Sequence, residues 1–410
     1  MRFDECEFCQ MFDAQNNPMG TYRVVSPRLR LKAEQIPSDE VPELLDPAED
    51  VWAMREAQEL TPWVRAAWNT HYNVLKETVA GGWMNPVHPW TKKTYTRYAI
   101  SFAAYSIPSI AMCDPSEYER CKEGLVNSLR LLKMYDIWKD WITDKWGSDP
   151  VSSANIMYKG HLCLIEGLYT MMTGEDTFEE EFKGLVALIA NEMRVNGRDR
   201  GFPLVECEPD QVFFPCNSIS LLAFLIHDKL YGTDLENELI VPSVAWLEEH
   251  MCDRDTKMTF FRWHPSNGAP EAFMFGDWWA LNTMRIFDPE FFATAYQNAK
   301  DLFLVDLADG KMCYPKASLI GEGISTDGEQ ANWKYMLCLC AREHEDIDTW
   351  AKAMRFLVAS FDLHIEDNGE MRFGDVTDYE SVYETWIFAA LAHQGWKNVI
   401  DFDWSAIRGA

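Results

Sequence analysis

Two hydrophobic patterns alternate along the chain, and both predict helices. From Asn155 to Met172 nearly every position is apolar, as in a helix buried on all sides. In the next segment the apolar residues share one face at helical spacing; they are Phe178, Phe182, Leu185, Val186, Ile189 and Met193. Asn217 to Leu230 is again apolar throughout, and Leu235 to His250 is again mixed. The sequence therefore predicts alternating buried and half-exposed helices.

Turn signals divide the chain at a regular interval. Their second residues lie 59, 58, 57 and 55 positions apart, and the signals are Asp114-Pro115, Thr173-Gly174, Tyr231-Gly232, Asp288-Pro289 and Glu343-His344. Each separates a buried segment from an amphipathic one, as a glycine C-cap or an Asp-Pro helix start does. Hairpins of two helices at this period would number six between Ala48 and Ala410. We therefore predict an all-α fold, an (α/α)6 barrel, with a non-repetitive all-α bundle as the alternative.

The first part of the chain differs from the rest. Residues 17–50 are rich in proline and polar groups, so we expect residues 1–47 to form an extended N-terminal arm and residues 48–410 to form a single barrel domain. Residues 1–16 are acidic and contain no apolar run. This predicts that the protein has no secretory signal and is cytoplasmic.

The charge excludes some classes of partner. The chain has 65 acidic and 37 basic residues, a net charge of −28, which predicts repulsion of nucleic acid and of anionic membranes. No apolar run approaches the roughly 18 residues of a transmembrane helix. The 11 cysteines are scattered, which predicts reduced thiols. One pair, Cys6 and Cys9, has the CxxC spacing but no second pair to complete a zinc site.

One loop carries the most reactive combination of residues. Cys207 and Cys216 stand nine positions apart, and Pro215 precedes the second of them at a predicted helix start. The unpaired N–H groups of a helix N-terminus favour a thiolate. Cys216 could therefore act as a base and Cys207 as a neutral acid. The other interpretation is that both are small core residues.

Further polar residues lie in apolar or aromatic surroundings. His161 lies in a buried segment beside Gly160, which suggests that another element approaches the backbone there. The remaining candidates from the residues alone are Tyr98, His264, Asp277 and Asp375. There is no phosphate-binding glycine loop and no metal-ligand spacing, so we predict neither a metal nor a cofactor.

Several blocks together resemble the linalool dehydratase-isomerase family. They are Trp138-Lys139-Asp140-Trp141, Gly147-Ser148-Asp149-Pro150, Asn155-Ile156-Met157-Tyr158-Lys159-Gly160-His161-Leu162, Gly167-Leu168-Tyr169, Thr173-Gly174, Cys207-Glu208-Pro209-Asp210, Phe213, Cys216-Asn217-Ser218 and His264-Pro265. The resemblance covers roughly residues 95–300. It implies an (α/α)6 barrel, a homo-oligomer and cofactor-free acid-base chemistry on an allylic terpene alcohol.

The resemblance also implies a set of site residues. Residues that match the catalytic positions are His161, Cys207, Cys216 and Tyr98. We expect substrate contacts from Tyr158, Phe213, Asn217, His264, Asp277, Trp278, His71 and Tyr72. The family's catalytic Asp has no counterpart in Asn69–Glu77, so His71, Tyr72 or Glu77 would have to replace it. The family's structural disulfide is also missing, since its second position falls near Tyr135.

These features predict a lyase or isomerase that acts on an isoprenoid alcohol or alkene by Cys/His acid-base chemistry. Without the Asp, a proton-initiated or dehydrative cyclase of terpenoids or meroterpenoids is a close variant. An (α/α)6-barrel glycoside hydrolase or lyase is a second class, with Glu208, Asp277 and Asp375 as its carboxylates. Hydrolysis of a sugar does not require two pocket thiols, so the Cys207–Cys216 loop favours the first class over this one. A third class is a non-enzymatic isoprenoid-binding barrel.

Overall fold

The computed structural model describes residues 10–12, 18–21, 60–81, 96–135, 137, 151, 154–271, 276–307, 310–315, 326–361, 363–372 and 382–408. Most of these residues are helical. The α-helices are α1 (Pro62–Gly81), α2 (Thr96–Cys113), α3 (Tyr118–Leu132), α4 (Ile156–Thr173), α5 (Glu179–Arg200), α6 (Phe214–Tyr231), α7 (Val241–His250), α8 (Gly276–Met284), α9 (Pro289–Phe303), α10 (Thr326–Glu343), α11 (Ile347–Phe361), α12 (Val382–Ala392) and α13 (Trp396–Asp401). A π-helical turn, Glu236–Ile240, precedes α7.

The strands are short and antiparallel. They are β1 (Gln10–Phe12), β2 (Pro18–Thr21), β3 (Val212–Phe213), β4 (Arg262–His264), β5 (Ala269–Glu271), β6 (Leu304–Leu307), β7 (Met312–Pro315), β8 (His364–Ile365) and β9 (Met371–Arg372). β3, β4 and β5 form one sheet in that order, and the others pair as hairpins, β1 with β2, β6 with β7 and β8 with β9.

The chain divides into two compact units. The middle unit contains Leu132–Ala299 with Met1–Tyr22, and the terminal unit contains Arg23–Leu131 with Lys300–Ala410. In the middle unit the most extensive packing between two helices is that of α4 against α6. In the terminal unit α12 packs against both α2 and α1. The arm at residues 1–47 and the single barrel domain at residues 48–410 remain predictions.

The predicted alternation of helices is confirmed in the middle unit. Every residue of α4 is buried, whereas α5 buries one face, made of Phe182, Leu185, Val186, Ile189, Ala190 and Met193. α6 is again buried from Phe214 to Phe224. An inner helix buries all its sides because neighbours surround it, and an outer helix keeps its charged side in water.

The predicted turn signals end or begin helices. Gly174 and Gly232 close α4 and α6 in the left-handed region, with φ of 68° and 66°. Each donates its backbone N–H to the carbonyl four residues earlier, Thr170 and Asp228 respectively, at 2.8 Å. Asp288 accepts a hydrogen bond from the backbone N–H of Phe291 at 2.9 Å, at the start of α9. The period read from the sequence is therefore a period of helix boundaries.

Two general properties follow from the described residues. None of the helices in this part of the chain is long and apolar enough to cross a bilayer. Nine cysteines fall within it, and all are free, buried thiols. Cys6, Cys9, Asp375 and the block from Trp138 to Pro150 lie outside the described residues.

Candidate active site

The loop between α5 and α6 brings the two predicted cysteines together. Cys207 lies in the loop, and Cys216 lies in the first turn of α6. Both thiols are buried, and their sulfur atoms are 3.7 Å apart, with Cys207 as the donor. This distance is a hydrogen-bond contact between two free thiols, so the pair can share a proton.

Each thiol also lies at the start of a buried helix. Cys216 belongs to the N-terminal turn of α6. The sulfur of Cys207 accepts a hydrogen bond from the backbone N–H of Met157, the second residue of α4. The preceding residue, Ile156, donates its N–H to the carbonyl of Glu206 at 3.2 Å. The loop thus caps α4 and leads into α6, which sets one sulfur at each helix N-terminus.

The environment of Cys207 keeps that thiol protonated. Burial raises its pKa well above the ordinary value for cysteine, and the hydrogen bond to Cys216 and the nearby Glu208 carboxylate add to the rise. The N–H of Met157 opposes it. The role of Cys207 as a neutral acid stays a prediction.

A short sheet anchors the tip of the loop. Val212 pairs with Trp263 and Phe213 with Arg262. His264 is buried, and its Nδ1 is 3.1 Å from the carbonyl oxygen of Asp210. The Asp210 carboxylate accepts hydrogen bonds from Ser266, through the backbone N–H at 2.7 Å and the hydroxyl at 2.5 Å. The structure therefore brings His264 to the cysteine loop, where it contacts the backbone.

Asn217 holds the base of the same loop. Its side chain is buried, and its Oδ1 accepts the N–H of Val205 at 2.9 Å. Its Nδ2 donates to the carbonyl of Val205 at 3.0 Å and to that of Phe213 at 2.9 Å. Both N–H donors are therefore used by the protein. The predicted substrate contact of Asn217 is left with one oxygen lone pair.

His161 lies on α4, one turn after Met157, and is buried. Side chains of a helix lean toward its N-terminus, so positions four apart share a face. His161 therefore shares a helix face with the side chain of Met157, whose backbone N–H meets Cys207. The approach that Gly160 predicted is confirmed, because a Cβ there would lie 2.7 Å from the hydroxyl of Ser220 and 3.4 Å from the carbonyl of Cys216.

The tryptophan whose ring lies beside His161 is Trp279, the neighbour of the predicted substrate contact Trp278. The ring centroid of Trp279 is 6.2 Å from that of His161. Trp278, the sequence-based candidate, is fully buried and makes an edge contact with Tyr296 of α9 at 6.3 Å. Neighbouring helix residues point about 100° apart, so the two indoles point in different directions. Asp277 lies in the first turn of α8, and its side chain is outside the described residues.

Two other candidates in this unit are aromatic residues near the two helix starts. Tyr158 is buried in the first turn of α4. Phe213 is half-buried and makes an edge contact with Phe261 at 5.0 Å. Their rings add apolar surface near the two helix starts, and their substrate contacts remain predictions.

The remaining candidates lie in the terminal unit. Tyr98 is half-buried in the first turn of α2. His71 is buried in α1 and stacks on Phe388 of α12, with ring centroids 4.8 Å apart. Neither ring nitrogen of His71 has a hydrogen-bond partner among the described residues. Burial lowers the pKa of His71 to about 3, so the ring is neutral at physiological pH.

The other two residues proposed to replace the family's Asp have different surroundings. The hydroxyl of Tyr72 donates a hydrogen bond to Glu123 of α3, and the guanidinium of Arg120 lies 4.4 Å from its ring. Burial and the Glu123 carboxylate raise the pKa of Tyr72 to about 12. Glu77 is exposed. The side chain of Tyr72 is therefore held by two residues of α3.

Within the described part of the chain, no group of three or more His, Cys, Asp or Glu side chains has the geometry to hold a metal ion. The cysteine loop presents two thiols in contact, and the imidazole of His161 and the indole of Trp279 lie beside each other in the same unit.

The chain matches known proteins in sequence and in fold. The sequence profile of the linalool dehydratase/isomerase family matches residues 97–376, which span the cysteine loop, α4 and Tyr98. The chain belongs to the linalool dehydratase/isomerase family. The resemblance found in the residues is thus confirmed, and it covers more of the chain than residues 95–300. In this chain the Asn155–Leu162 block begins α4 and the Cys207–Asn217 block leads into α6. The two helix starts meet at the thiol pair.

Solved structures share the fold of this family member. The GH76A α-1,6-mannanase from Salegentibacter superposes with a TM-score of 0.50 and 9% identity, covering 80% of this chain and 98% of that one. Its inactive variant in complex with α-1,6-mannotriose gives a TM-score of 0.51 at 10% identity, with coverage of 80% and 98%. A Listeria innocua protein gives 0.50 at 8% identity, with coverage of 80% and 96%. The predicted (α/α)6-barrel class is confirmed, and identities this low show fold alone.

Proposed function

We propose that this family member is an enzyme that removes or moves the hydroxyl of an isoprenoid alcohol by proton transfer through Cys207 and Cys216. The observation that carries the proposal is the hydrogen bond between two free, buried thiols, 3.7 Å apart, at the starts of two inner helices. Loss of an allylic hydroxyl requires a proton donor for the leaving oxygen and a proton acceptor for the adjacent carbon. In the proposed reaction the Cys207 thiol is the donor, and the sulfur of Cys216, entering as a thiolate, is the acceptor.

The direction of transfer follows from the pair's environment. Cys207 is the protonated member, since burial raises the pKa of its thiol. Cys216 accepts the hydrogen bond of Cys207 and lies in the N-terminal turn of α6. We infer that the Cys207 S–H protonates the hydroxyl, which leaves as water. The sulfur of Cys216 then takes a proton from the neighbouring carbon as the double bond forms.

The pair returns to its starting state by one internal step. After elimination Cys207 is a thiolate and Cys216 carries the proton. Transfer of that proton from Cys216 to Cys207 along their hydrogen bond restores both groups. Isomerisation uses the same atoms, with water returning to the other allylic carbon as Cys207 takes back its proton. Both transfers use protein side chains alone, so the proposed reaction requires no metal or cofactor.

His161 and Trp279 supply the remaining needs of the reaction. His161 is buried in α4, one turn after the residue whose backbone N–H meets Cys207, and it is proposed to orient the substrate hydroxyl or to exchange a proton with it. The indole of Trp279, 6.2 Å from His161, offers a π face to an allylic cation. Tyr98 matches a catalytic position of the family, and its catalytic role is proposed on that match alone. His264 is proposed to support the loop rather than to touch the substrate.

Cyclisation is the second candidate. It is favoured by the residues of the segment Asn69–Glu77, where this chain lacks a counterpart of the family's catalytic Asp. His71 is neutral, Tyr72 is bonded to Glu123, and Glu77 is exposed. None of the three resembles a buried carboxylate that could replace the family's Asp. A cyclase needs only one strong proton donor and an apolar wall around the cation, so it tolerates that loss better than linalool elimination does.

A substrate comparison tests the proposed class of reaction. The enzyme is incubated with C10 and C15 allylic isoprenoid alcohols, with their saturated analogues and with an aryl mannoside, and products are identified by gas chromatography with mass spectrometry. We expect alkenes, isomeric alcohols or cyclic products from allylic alcohols only, since a saturated alcohol forms no allylic cation. Activity should persist after dialysis against EDTA. Hydrolysis of the mannoside without turnover of any allylic alcohol would overturn the proposal in favour of a glycosidase.

A further inference from the structure

One side chain ties together both ends of the cysteine loop. Asn217 exchanges two hydrogen bonds with the backbone of Val205, at 2.9 and 3.0 Å. This is the bonding of a directly paired residue in an antiparallel sheet, made here by an amide side chain. The same amide nitrogen donates to the carbonyl of Phe213 at 2.9 Å. Val205 precedes Cys207 by two residues, and Phe213 precedes Cys216 by three.

The position of Asn217 makes this clamp rigid. The residue lies on α6, directly after Cys216, and none of its side chain is exposed. The α-helix fixes its backbone, and three hydrogen bonds at 2.9, 3.0 and 2.9 Å fix its amide plane. Its two donors are both satisfied, so removing them leaves two buried carbonyls without that partner. The helix that carries Cys216 therefore also holds the loop that carries Cys207.

Other contacts hold the loop at points away from the thiols. Asn196 of α5 donates to the carbonyl of Leu204 at 2.6 Å. Ser243 of α7 donates to the carbonyl of Pro203 at 2.9 Å. Both elements are outer helices, so these contacts restrain the entry of the loop without relating it to Cys216. Asn217 makes the connection to α6.

We propose that Asn217 is a positioning residue that sets the distance between the sulfur atoms of Cys207 and Cys216. This inference rests on the proposed proton transfer between the two thiols for its effect on catalysis, and on geometry alone for its effect on the thiols. A contact of 3.7 Å depends on both the loop and the helix being held. An error of about 1 Å in the placement of reacting groups can cost on the order of a hundredfold in rate.

The test measures how readily the two thiols react with each other. Diamide takes two electrons and two protons from a pair of nearby thiols, which leaves a disulfide and the reduced hydrazine. The rate of Cys207–Cys216 disulfide formation is followed by mass spectrometry in the whole enzyme, in Asn217→Ala and in Asn217→Asp. Asp keeps an acceptor for the Val205 N–H but loses both donors. We expect the rate to fall at least about tenfold in both variants.

The matched control is Ser218→Ala. Ser218 lies on the same helix and is equally buried, and it donates to the carbonyl of Pro215 at 2.8 Å and contacts the hydroxyl of Thr283 at 2.6 Å. Its loss should lower stability without moving the loop, so its disulfide rate should stay within about twofold of the parent. Equal rates in the parent and in folded Asn217 variants would overturn the clamp.

Kinetics separate the clamp from substrate binding and from the proposed function. In the Asn217 variants we expect kcat to fall about 10- to 100-fold with KM within about twofold. A rise in KM alone would instead make Asn217 a substrate contact and overturn the inference. A fully active Cys216→Ser enzyme would overturn the proposed function. The disulfide rates would still test whether Asn217 positions the two thiols.

A measurement on the parent enzyme covers the case in which the Asn217 variants do not fold. The backbone N–H of Val205 has the side chain of Asn217 as its acceptor. We expect this amide to exchange with deuterium as slowly as the core amides of α6. Exchange as fast as in the exposed turn around Asp255 would show that the clamp is open in solution and would overturn the inference.

Discussion

His71 is a buried imidazole in an apolar setting. Its ring stacks on Phe388 with an interplanar angle of 11° and lies 6.2 Å from the ring of Trp68. Burial without a counter-charge disfavours the protonated ring, which is why its pKa falls to about 3. Its two nitrogens have no partner among the described residues. His71 is thus a neutral ring and not a charged acid.

We predict that, as the pH is lowered, the free energy of unfolding falls less in His71→Phe than in the parent protein. Between pH 6.5 and about 3 the unfolded chain binds a proton that the folded ring refuses. The free energy of unfolding therefore falls as the pH falls through this window, by up to about 1.4 kcal/mol per pH unit from this group. Urea titrations of both proteins at pH 7 and pH 5 measure the difference. An equal drop in both would show that His71 is not buried neutral.

Trp279 is predicted to contribute to the rate through its π face. Trp279→Leu keeps apolar volume but removes the ring, and should lower kcat about 2- to 30-fold, the equivalent of about 0.5–2 kcal/mol for a cation–π contact. Trp279→Phe should recover part of this loss. Initial rates with an allylic isoprenoid alcohol measure the effect. A rate in Trp279→Leu equal to that of the parent would remove Trp279 from the mechanism.

At the residue scale, the sequence predicted which residue types gather in the cysteine loop better than it predicted where individual side chains point. The Cys207–Cys216 spacing and Pro215 were sufficient to predict a loop entering a helix, because proline at a helix start is a local signal. Choosing between Trp278 and Trp279 was not possible, since α8 has no amphipathic phase that distinguishes its faces. The hydrogen bonds of Asn217 to Val205 and Phe213 depend on the tertiary path of the loop, which no local pattern encodes.

At the element scale, inner and outer helices meet through glycine. Gly167 of α4 faces α5, where an added Cβ would lie 2.9 Å from two ring atoms of Phe182. That ring is fully buried and packs against His227, with centroids 5.6 Å apart. It has little room to retreat, so Gly167 determines how closely α5 approaches α4.

We predict opposite effects for two Gly→Ala changes in neighbouring helices. Gly167→Ala should lower the free energy of unfolding by about 1–3 kcal/mol through overpacking. Gly184→Ala in α5, where a Cβ meets nothing within 4 Å, should raise it by about 0.5–1 kcal/mol. Chemical denaturation measures both. If Gly167→Ala were as stabilising as Gly184→Ala, the close approach of α4 and α5 would be wrong.

The helices themselves were predictable because burial imposes periodicity on sequence. The face of α5 and the all-round apolar character of α4 and α6 were visible in the chain. The π-helical turn before α7 and the three-stranded sheet β3-β4-β5 were not. Strands of two or three residues are too short for alternation to show, and their pairing depends on contacts distant in sequence.

At the scale of the whole molecule, the fold alone does not select the reaction. The (α/α)6 barrel is shared with a mannanase at 9% identity, so the site must carry the assignment. The family match and the contact between the two thiols are the observations on which the proposed chemistry rests. The net charge of −28 adds that a neutral, apolar substrate suits the molecule better than a polyanion.

The central claim is that Cys207 and Cys216 carry the protons of an isoprenoid reaction, and one comparison tests it most directly. Turnover of an accepted allylic alcohol is measured in Cys207→Ser, Cys216→Ser and the control Cys163→Ser, whose thiol is equally buried in α4. We predict a fall of about 10²–10⁴ in kcat for the first two and a change within about twofold for the control. Folded Cys207→Ser and Cys216→Ser enzymes as active as Cys163→Ser would contradict the account.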